Sequence, residues 1–252
     1  MIEYHQNRYA REIDKWAPAG CRWLDIGAGT RLHGGWGGTP QEAHAPRVRA
    51  LVGCDMLSAP LRKNPFLTAR VCASGDALPF DSGSFDLVTA NMVLEHLESP
   101  SRFFAEVSRV LADGGRFVFV TPNRRHPIVA LFAVCLHPRI RSLVARVTDG
   151  RPSERIFLTH YKANTLGDLA HLIAGADLEA VELQSFSSYP MTFRIPVLRN
   201  VENAWLWASR GHWADSIRSN LIGVCRRSSH AGPADLQPSA GPARGTLASG
   251  RH

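Results

Sequence analysis

The feature that most constrains this chain is an alternation. Short runs rich in Val, Leu, Ile and Phe fall near Arg22–Gly27, Leu51–Asp55, Arg70–Ser74, Phe85–Asn91 and Arg116–Thr121, and two more near Leu178–Phe186 and Leu221–Arg226. Longer segments with helical spacing separate them. Thr39-Pro40-Gln41-Glu42 reads as a capping box with proline in the first helical position. Pro100–Leu111 sets Phe103, Phe104, Val107, Val110 and Leu111 on one face, and Asp113-Gly114-Gly115 is expected to end that helix. Strands that alternate with helices build a parallel sheet covered on both faces. The expected fold class is therefore α/β: a doubly wound, seven-stranded, mostly parallel sheet, forming one domain over residues 1–227. Residues 123–160 exceed a short connection and read as a helical lid insertion. Residues 228–252 are dominated by Ser, Ala, Gly and Pro and are expected to be a disordered tail.

Composition narrows the class. The chain has 252 residues and is 44% hydrophobic, enough to build a full core. Five cysteines are scattered without a CxxC pair, which suggests neither a zinc site nor a disulfide framework, and no metal is expected. The amino-terminal residues mix acids with bases and lack the apolar centre of a secretory signal, so a cytoplasmic setting is expected. The longest apolar run, Ile128–Leu136, is far too short to cross a bilayer. The net charge of +7 is local: residues 1–123 hold 13 Lys+Arg against 13 Asp+Glu, residues 124–161 hold seven arginines against two acids, and residues 194–227 hold six against two. Such an excess suits nucleic acid, anionic lipid or an acidic substrate, or simply a solvated helix face.

In an open parallel sheet, ligands bind beyond the carboxyl ends of the strands where the winding reverses. Those ends carry the polar residues here. The first strand delivers Asp25, Gly27 and Gly29, the second Asp55, the third leads to Asp76, and the fourth ends on Asn91. Each acid alone could be a turn former; the set at successive strand ends points to a ligand. A dinucleotide fingerprint needs a third glycine after Gly27-Ala28-Gly29, and Thr30, Arg31 and Leu32 stand there instead. A carboxylate at Asp25 would repel a pyrophosphate and balance a cationic nucleoside, which argues against a nicotinamide oxidoreductase.

The ordered set LDIGAGT, VGCDM, SGDALPF, DSGSFDLVTANMVLEHL and FFAEVSRVLADGGRFVFVTPN closely resembles the successive motifs of class I S-adenosylmethionine-dependent methyltransferases, from about Trp23 to Asn123. The resemblance implies a Rossmann-like fold and S-adenosylmethionine as cofactor. It also implies roles: Gly27, Ala28 and Gly29 let backbone approach the cofactor, with Asp25 near its methionine amino group. Asp55, beside Met56, would accept both ribose hydroxyls. Asp76 and the Ala77 backbone would meet the adenine, and Asn91 would lie near the methionine moiety. Arg31 stands where that family has its third glycine, and LHGGWGG is inserted before Thr39.

Methyl transfer to a hydroxyl or amine requires loss of a proton, and His96, His160 and Tyr161 are the candidate groups. The reading is a methyltransferase for a small-molecule, lipid-linked or glycan acceptor, with oxygen as the expected atom. A nucleic-acid methyltransferase is the alternative, but ANMVLEH replaces the Asn/Asp-Pro-Pro-aromatic motif of amino-methylating enzymes, so no nucleic acid is expected; a noncatalytic binding protein on the same fold is another. The lid, with Ile128, Leu131, Phe132, Cys135 and Leu136 beside Arg139, Arg141 and Arg146, suits either packing on the sheet or contact with an anionic membrane, which would make the chain peripheral to the inner membrane face. SSYPMTFRIP and Trp205, Trp207 and Trp213 could wall the same pocket or fill space between helices.

Overall fold

In the computed structural model, seven strands form one sheet in the order β3-β2-β1-β4-β5-β7-β6. The structure describes residues 4–31, 47–131, 158–189, 196–209 and 211–228. The strands are β1 (Arg22–Ile26), β2 (Ala50–Asp55), β3 (Ala69–Cys72), β4 (Phe85–Asn91), β5 (Leu111–Pro122), β6 (Leu178–Phe186) and β7 (Asn220–Arg227). Strands β1 to β5 pair in parallel, and only β7 runs against its neighbours β5 and β6. All seven expected strands are present. The chain winds outward from β1 through β2 to β3, then crosses back to lay β4 on the other side of β1. That reversal opens a crevice at the carboxyl ends of β1 and β4.

Alternation along each strand divides the core. Leu24, Ile26, Val88, Phe117 and Phe119 face one side, covered by α3 (Pro100–Val110) and α5 (Leu166–Ala174); α2 (Ser58–Arg62) is a short turn after β2. Trp23, Leu87, Val118, Val120 and Ile222 face the other, covered by Tyr9 and Ile13 of α1 (His5–Trp16). Proline begins α3 at Pro100, and its stripe of Phe103, Phe104, Val107 and Val110 is fully buried. Thr165 caps α5 by accepting the Asp168 N–H at 3.1 Å. Glu182 of β6 receives Arg8 and Lys15 of α1, each at 3.2 Å, and so fixes that helix across the sheet.

One expectation is corrected. Asp113-Gly114-Gly115 does not end α3: the helix stops at Val110, and Leu111 already pairs with Phe85. The next partners are Leu87 and Arg116, so residues 112–115 bulge out of β5, with Gly114 at φ 71° supplying the turn. Strand β5 therefore begins earlier than its apolar run suggests. The expected capping box at Thr39–Glu42, the LHGGWGG segment, most of the lid and nearly all of the tail lie outside the described residues. Of the lid, α4 (Pro127–Ala130) is described as a single turn after β5. The last described α-helix, α6 (Pro196–Ala208), lies between β6 and a 3-10 turn at His212–Ile217.

Candidate functional site

The crevice is built from the turn after β1. The N–H groups of Gly27 and Ala28 donate to the Cys54 carbonyl of β2, which clips the turn to the neighbouring strand at 2.8 and 3.2 Å. Gly27 has φ 73°, and a Cβ there would lie 2.4 Å from Val93 Cγ2, so both its conformation and its surroundings exclude a side chain. Gly29 follows at φ 46° and donates its N–H to Asp55 Oδ2 at 3.0 Å. The other oxygen of Asp55 accepts from Leu57 N–H at 2.9 Å. Thus the carboxylate ending β2 holds the glycine turn that ends β1. Ala28 is buried between them, and its carbonyl accepts from Asn64. Met56 projects into solvent beside Asp55.

Asp76 is half-buried in a turn closed by Ala77 N–H on the Ser74 carbonyl, and Ala77 itself is exposed. Glu106 of α3 secures the adjoining loop: it accepts from Leu78 N–H at 2.7 Å and pairs with Arg109, whose guanidinium donates to the Leu78 and Phe80 carbonyls. This holds the Glu106 carboxyl below its ordinary range, first through the Arg109 hydrogen bond. Asn91, at the end of β4, makes a reciprocal amide pair with Gln6 of α1, at 2.7 and 3.2 Å. That pair brings the start of α1 over the crevice. Sequence reading missed Gln6, because a glutamine in an amphipathic helix carries no signal until the helix is placed.

Asp25 sits deeper than its neighbours. It is almost wholly buried beneath the turn, where Thr89 Oγ1 donates to it at 2.6 Å and in turn accepts from Trp23 Nε1 at 2.7 Å. Burial pushes its carboxyl up to about 8; the Thr89 hydrogen bond opposes this, and the charge of Asp55 adds to it. The buried Tyr9 phenol beside it is raised as well, first by desolvation and then by Asp25. Asp25 therefore belongs to a buried polar chain that cationic charge nearby would ionise.

On the far side of Asn91, the residues Met92 to Leu97 turn sharply. Met92 has φ 54°, and Leu94–His96 form a 3-10 turn rather than a helix. Glu95 is buried and accepts from the Thr121 hydroxyl at 3.1 Å; Asn164 donates to that same hydroxyl oxygen at 2.7 Å. The Glu95 carbonyl accepts from His160 N–H at 2.7 Å and Tyr161 N–H at 3.1 Å, with Tyr161 at φ 52°. The structure thus brings His96, His160 and Tyr161 to one corner. The His96 Nδ1 lies 3.0 Å from the Leu158 carbonyl, which only accepts, so the proton of the neutral ring is on Nδ1. Its Nε2 is 3.9 Å from Glu95 Oε1, while His160 Nε2 lies 3.6 Å from the exposed Glu98. Arg31 is exposed at the end of the glycine turn. No group of three or more metal-ligating side chains occurs among the described residues.

Residues 24–119 match the family described as methyltransferase domain. By this match the stretch is similar to a methyltransferase domain. The match spans β1 to β5 and contains every candidate cofactor residue. A ubiquinone biosynthesis O-methyltransferase of Pseudomonas aeruginosa is 34% identical over 154 residues, covering 54% of this chain and 61% of that protein. A demethylmenaquinone methyltransferase of Renibacterium salmoninarum is 31% identical over 149 residues, covering 56% and 59%. The chain thus spans about 61% of the length of the first of these relatives. The chain also has the fold of an S-adenosylmethionine-dependent methyltransferase from Mesorhizobium loti, at 19% identity with a TM-score of 0.56, covering 86% of this chain and 96% of that one. A geranyl diphosphate C-methyltransferase of Streptomyces coelicolor has the same fold at 18% identity and a TM-score of 0.51, covering 87% and 75%.

Proposed function

We propose that this chain transfers a methyl group from S-adenosylmethionine to a hydroxyl oxygen of a small aromatic acceptor of the quinol type. The observation that carries the cofactor reading is the junction of β1 and β2, where Asp55 holds a side-chain-free turn at Gly27 and Gly29. The residues present fit a cationic nucleoside: bare backbone for close approach, an acid at each of three successive strand ends, and a buried carboxyl poised to ionise. Gly27, Ala28 and Gly29 would take the methionine end with Asn91 and Asp25, Asp55 beside Met56 the ribose, and Asp76 with the Ala77 backbone the adenine. When bound, the cofactor supplies an electrophilic methyl on a cationic sulfur.

The protein's own contribution is then positioning, exclusion of water and removal of one proton. His96 is the best-placed base. Its Nδ1–H is fixed on the Leu158 carbonyl, Nε2 is the basic nitrogen, and the buried Glu95 carboxylate beside it would stabilise the imidazolium that proton uptake creates. His160 and Tyr161 would line the same corner. The acceptor class is suggested by the names of the relatives, which concern ubiquinone biosynthesis and demethylmenaquinone.

The test uses the full chain. Calorimetric titration with S-adenosylhomocysteine is expected to show saturable binding that Asp55→Ala weakens roughly tenfold or more, since hydrogen bonds to a charged group are worth about 1.5–3 kcal/mol. Methyl-labelled cofactor is expected to transfer label to catechol, and His96→Gln to reduce that rate about a hundredfold without altering cofactor affinity. No binding, or unchanged affinity in Asp55→Ala, refutes the cofactor reading; binding with no transfer to any hydroxylated ring refutes the acceptor reading.

A further inference from the structure

We propose that the rim of the sheet around the crevice docks on an anionic lipid bilayer, with Trp207 and Trp213 as its anchors. The proposal builds on the methyl-transfer reading, since the same rim would then draw its acceptor from the membrane. Trp207 is 69% exposed and Trp213 64% exposed, unusual values for such large rings. Tyr189, Val201, Leu131 and Leu158 are exposed as well. Topology puts the segments that carry these side chains at the same end of the sheet. Leu131 follows the carboxyl end of β5, and Leu158 is held by His96 just beyond β4. Tyr189, Val201, Trp207 and Trp213 all lie in the connection that leaves β6 at Phe186 and enters β7 at Asn220, two residues paired at the same edge. That connection is tied down at the rim, because Asn123 Nδ2 donates to the Ser216 and Arg218 carbonyls at 3.0 and 2.8 Å. Trp205 packs between His126 and Trp213, with ring centroids 6.5 and 6.3 Å away. At the opposite rim, around Gly20 and Gly114, no large apolar side chain is exposed among the described residues.

The charge on this rim decides the occupant. Arg124, Arg125 and Arg199 are exposed and have no carboxylate partner among the described residues. The acids nearby are committed: Glu202 is buried, and Asp215 pairs with Arg218. Indole rings suit the headgroup boundary, where an apolar body and a polar N–H are both accommodated, and unpaired arginines attract anionic headgroups. A symmetric contact with a second copy would set these arginines against each other. A nucleic acid would satisfy the arginines but leave Leu131, Leu158 and Val201 without anything to pack on. No described helix is long and apolar enough to cross a membrane.

The experiment mixes the full chain with large unilamellar vesicles of phosphatidylcholine, with and without phosphatidylglycerol, and with brominated phosphatidylcholine as a tryptophan quencher. The wild type is expected to sediment with phosphatidylglycerol vesicles and to lose tryptophan emission to the brominated lipid. Trp207→Ser with Trp213→Ser is expected to bind at least tenfold more weakly and to escape quenching. Trp207→Ser alone, whose ring is mostly in solvent, is expected to lose at least threefold, which keeps the test decisive if the double variant misfolds. Wild type indifferent to anionic vesicles, equal binding by the variants, tighter binding to single-stranded or duplex DNA than to vesicles, or a dimer that the variants abolish would each overturn the proposal. Titration with S-adenosylhomocysteine in parallel separates the two readings: its failure sinks the cofactor assignment, and the vesicle arms alone decide the docking surface.

Discussion

Replacing Asp25 by asparagine tests the buried chain beneath the glycine turn. An aspartate in an unfolded chain ionises near 3.8, whereas this one is pushed up to about 8 by burial. Below pH 3.8 both states are protonated and the group contributes no pH dependence. From there to about pH 8 the unfolded state releases the proton and the folded state keeps it, so stability falls as pH rises. The loss is about 1.4 kcal/mol per pH unit, or about 3 kcal/mol between pH 5 and pH 7.5. In Asp25→Asn the side-chain oxygen can still accept from Thr89, but no proton is exchanged. Urea unfolding of the cofactor-free wild type and variant at several pH values in this window gives the measurement, since the difference between the curves cancels every other titrating group. The variant should gain on the wild type steadily with pH, becoming the more stable protein by neutrality. Parallel curves would refute the reasoning, because they would mean that Asp25 ionises normally in the fold. A carboxyl so unfavourable in the empty protein is tolerable where a bound cation repays it.

Other perturbations probe the frame around it. Gly27→Ala forces a side chain onto a left-handed residue and against the β-branched Val93, and should destabilise the protein by about 2 kcal/mol or more while weakening S-adenosylhomocysteine binding, read by thermal unfolding and calorimetry. Thr165→Ala removes the acceptor for Asp168 N–H and should cost about 1 kcal/mol of stability with cofactor affinity unchanged.

Much of the fold was legible because parallel strands covered on both faces leave continuous apolar runs. The expected bounds of Phe85–Asn91 and Leu178–Phe186 match to the residue, and those of β1, β2, β3 and β7 within about two residues. The largest miss, the early start of β5, arose where Leu111 to Gly115 carries helix-ending and turn residues that in fact form a bulge. Local chemistry there is a stop signal; pairing of Leu111 with Phe85 overrides it. The 3-10 turn at Leu94–His96 likewise has apolar spacing that mimics a helix, until Met92 enters the left-handed region and breaks it.

The candidate site divides along the same physical line. The side proposed for the cofactor has a sequence signature because it is made by strand ends, where a short polar residue interrupts an apolar run and adjacency in the sheet follows from the winding alone. The chain of Trp23, Thr89 and Asp25 has none, since Trp23 and Thr89 look like core residues and nothing in the sequence ties them to Asp25. Gln6 was invisible for a related reason: its partner Asn91 is 85 residues away. The corner holding His96 and His160 depends on the Glu95 carbonyl, a backbone group that carries no residue signature at all. Contacts of this kind form only once β4, β5 and α5 are assembled, so the corner proposed for the acceptor is specified by tertiary placement rather than by motif. It follows that substitutions at strand ends should alter cofactor affinity, whereas those in the connections after β4, β5 and β6 should alter acceptor turnover with cofactor affinity intact.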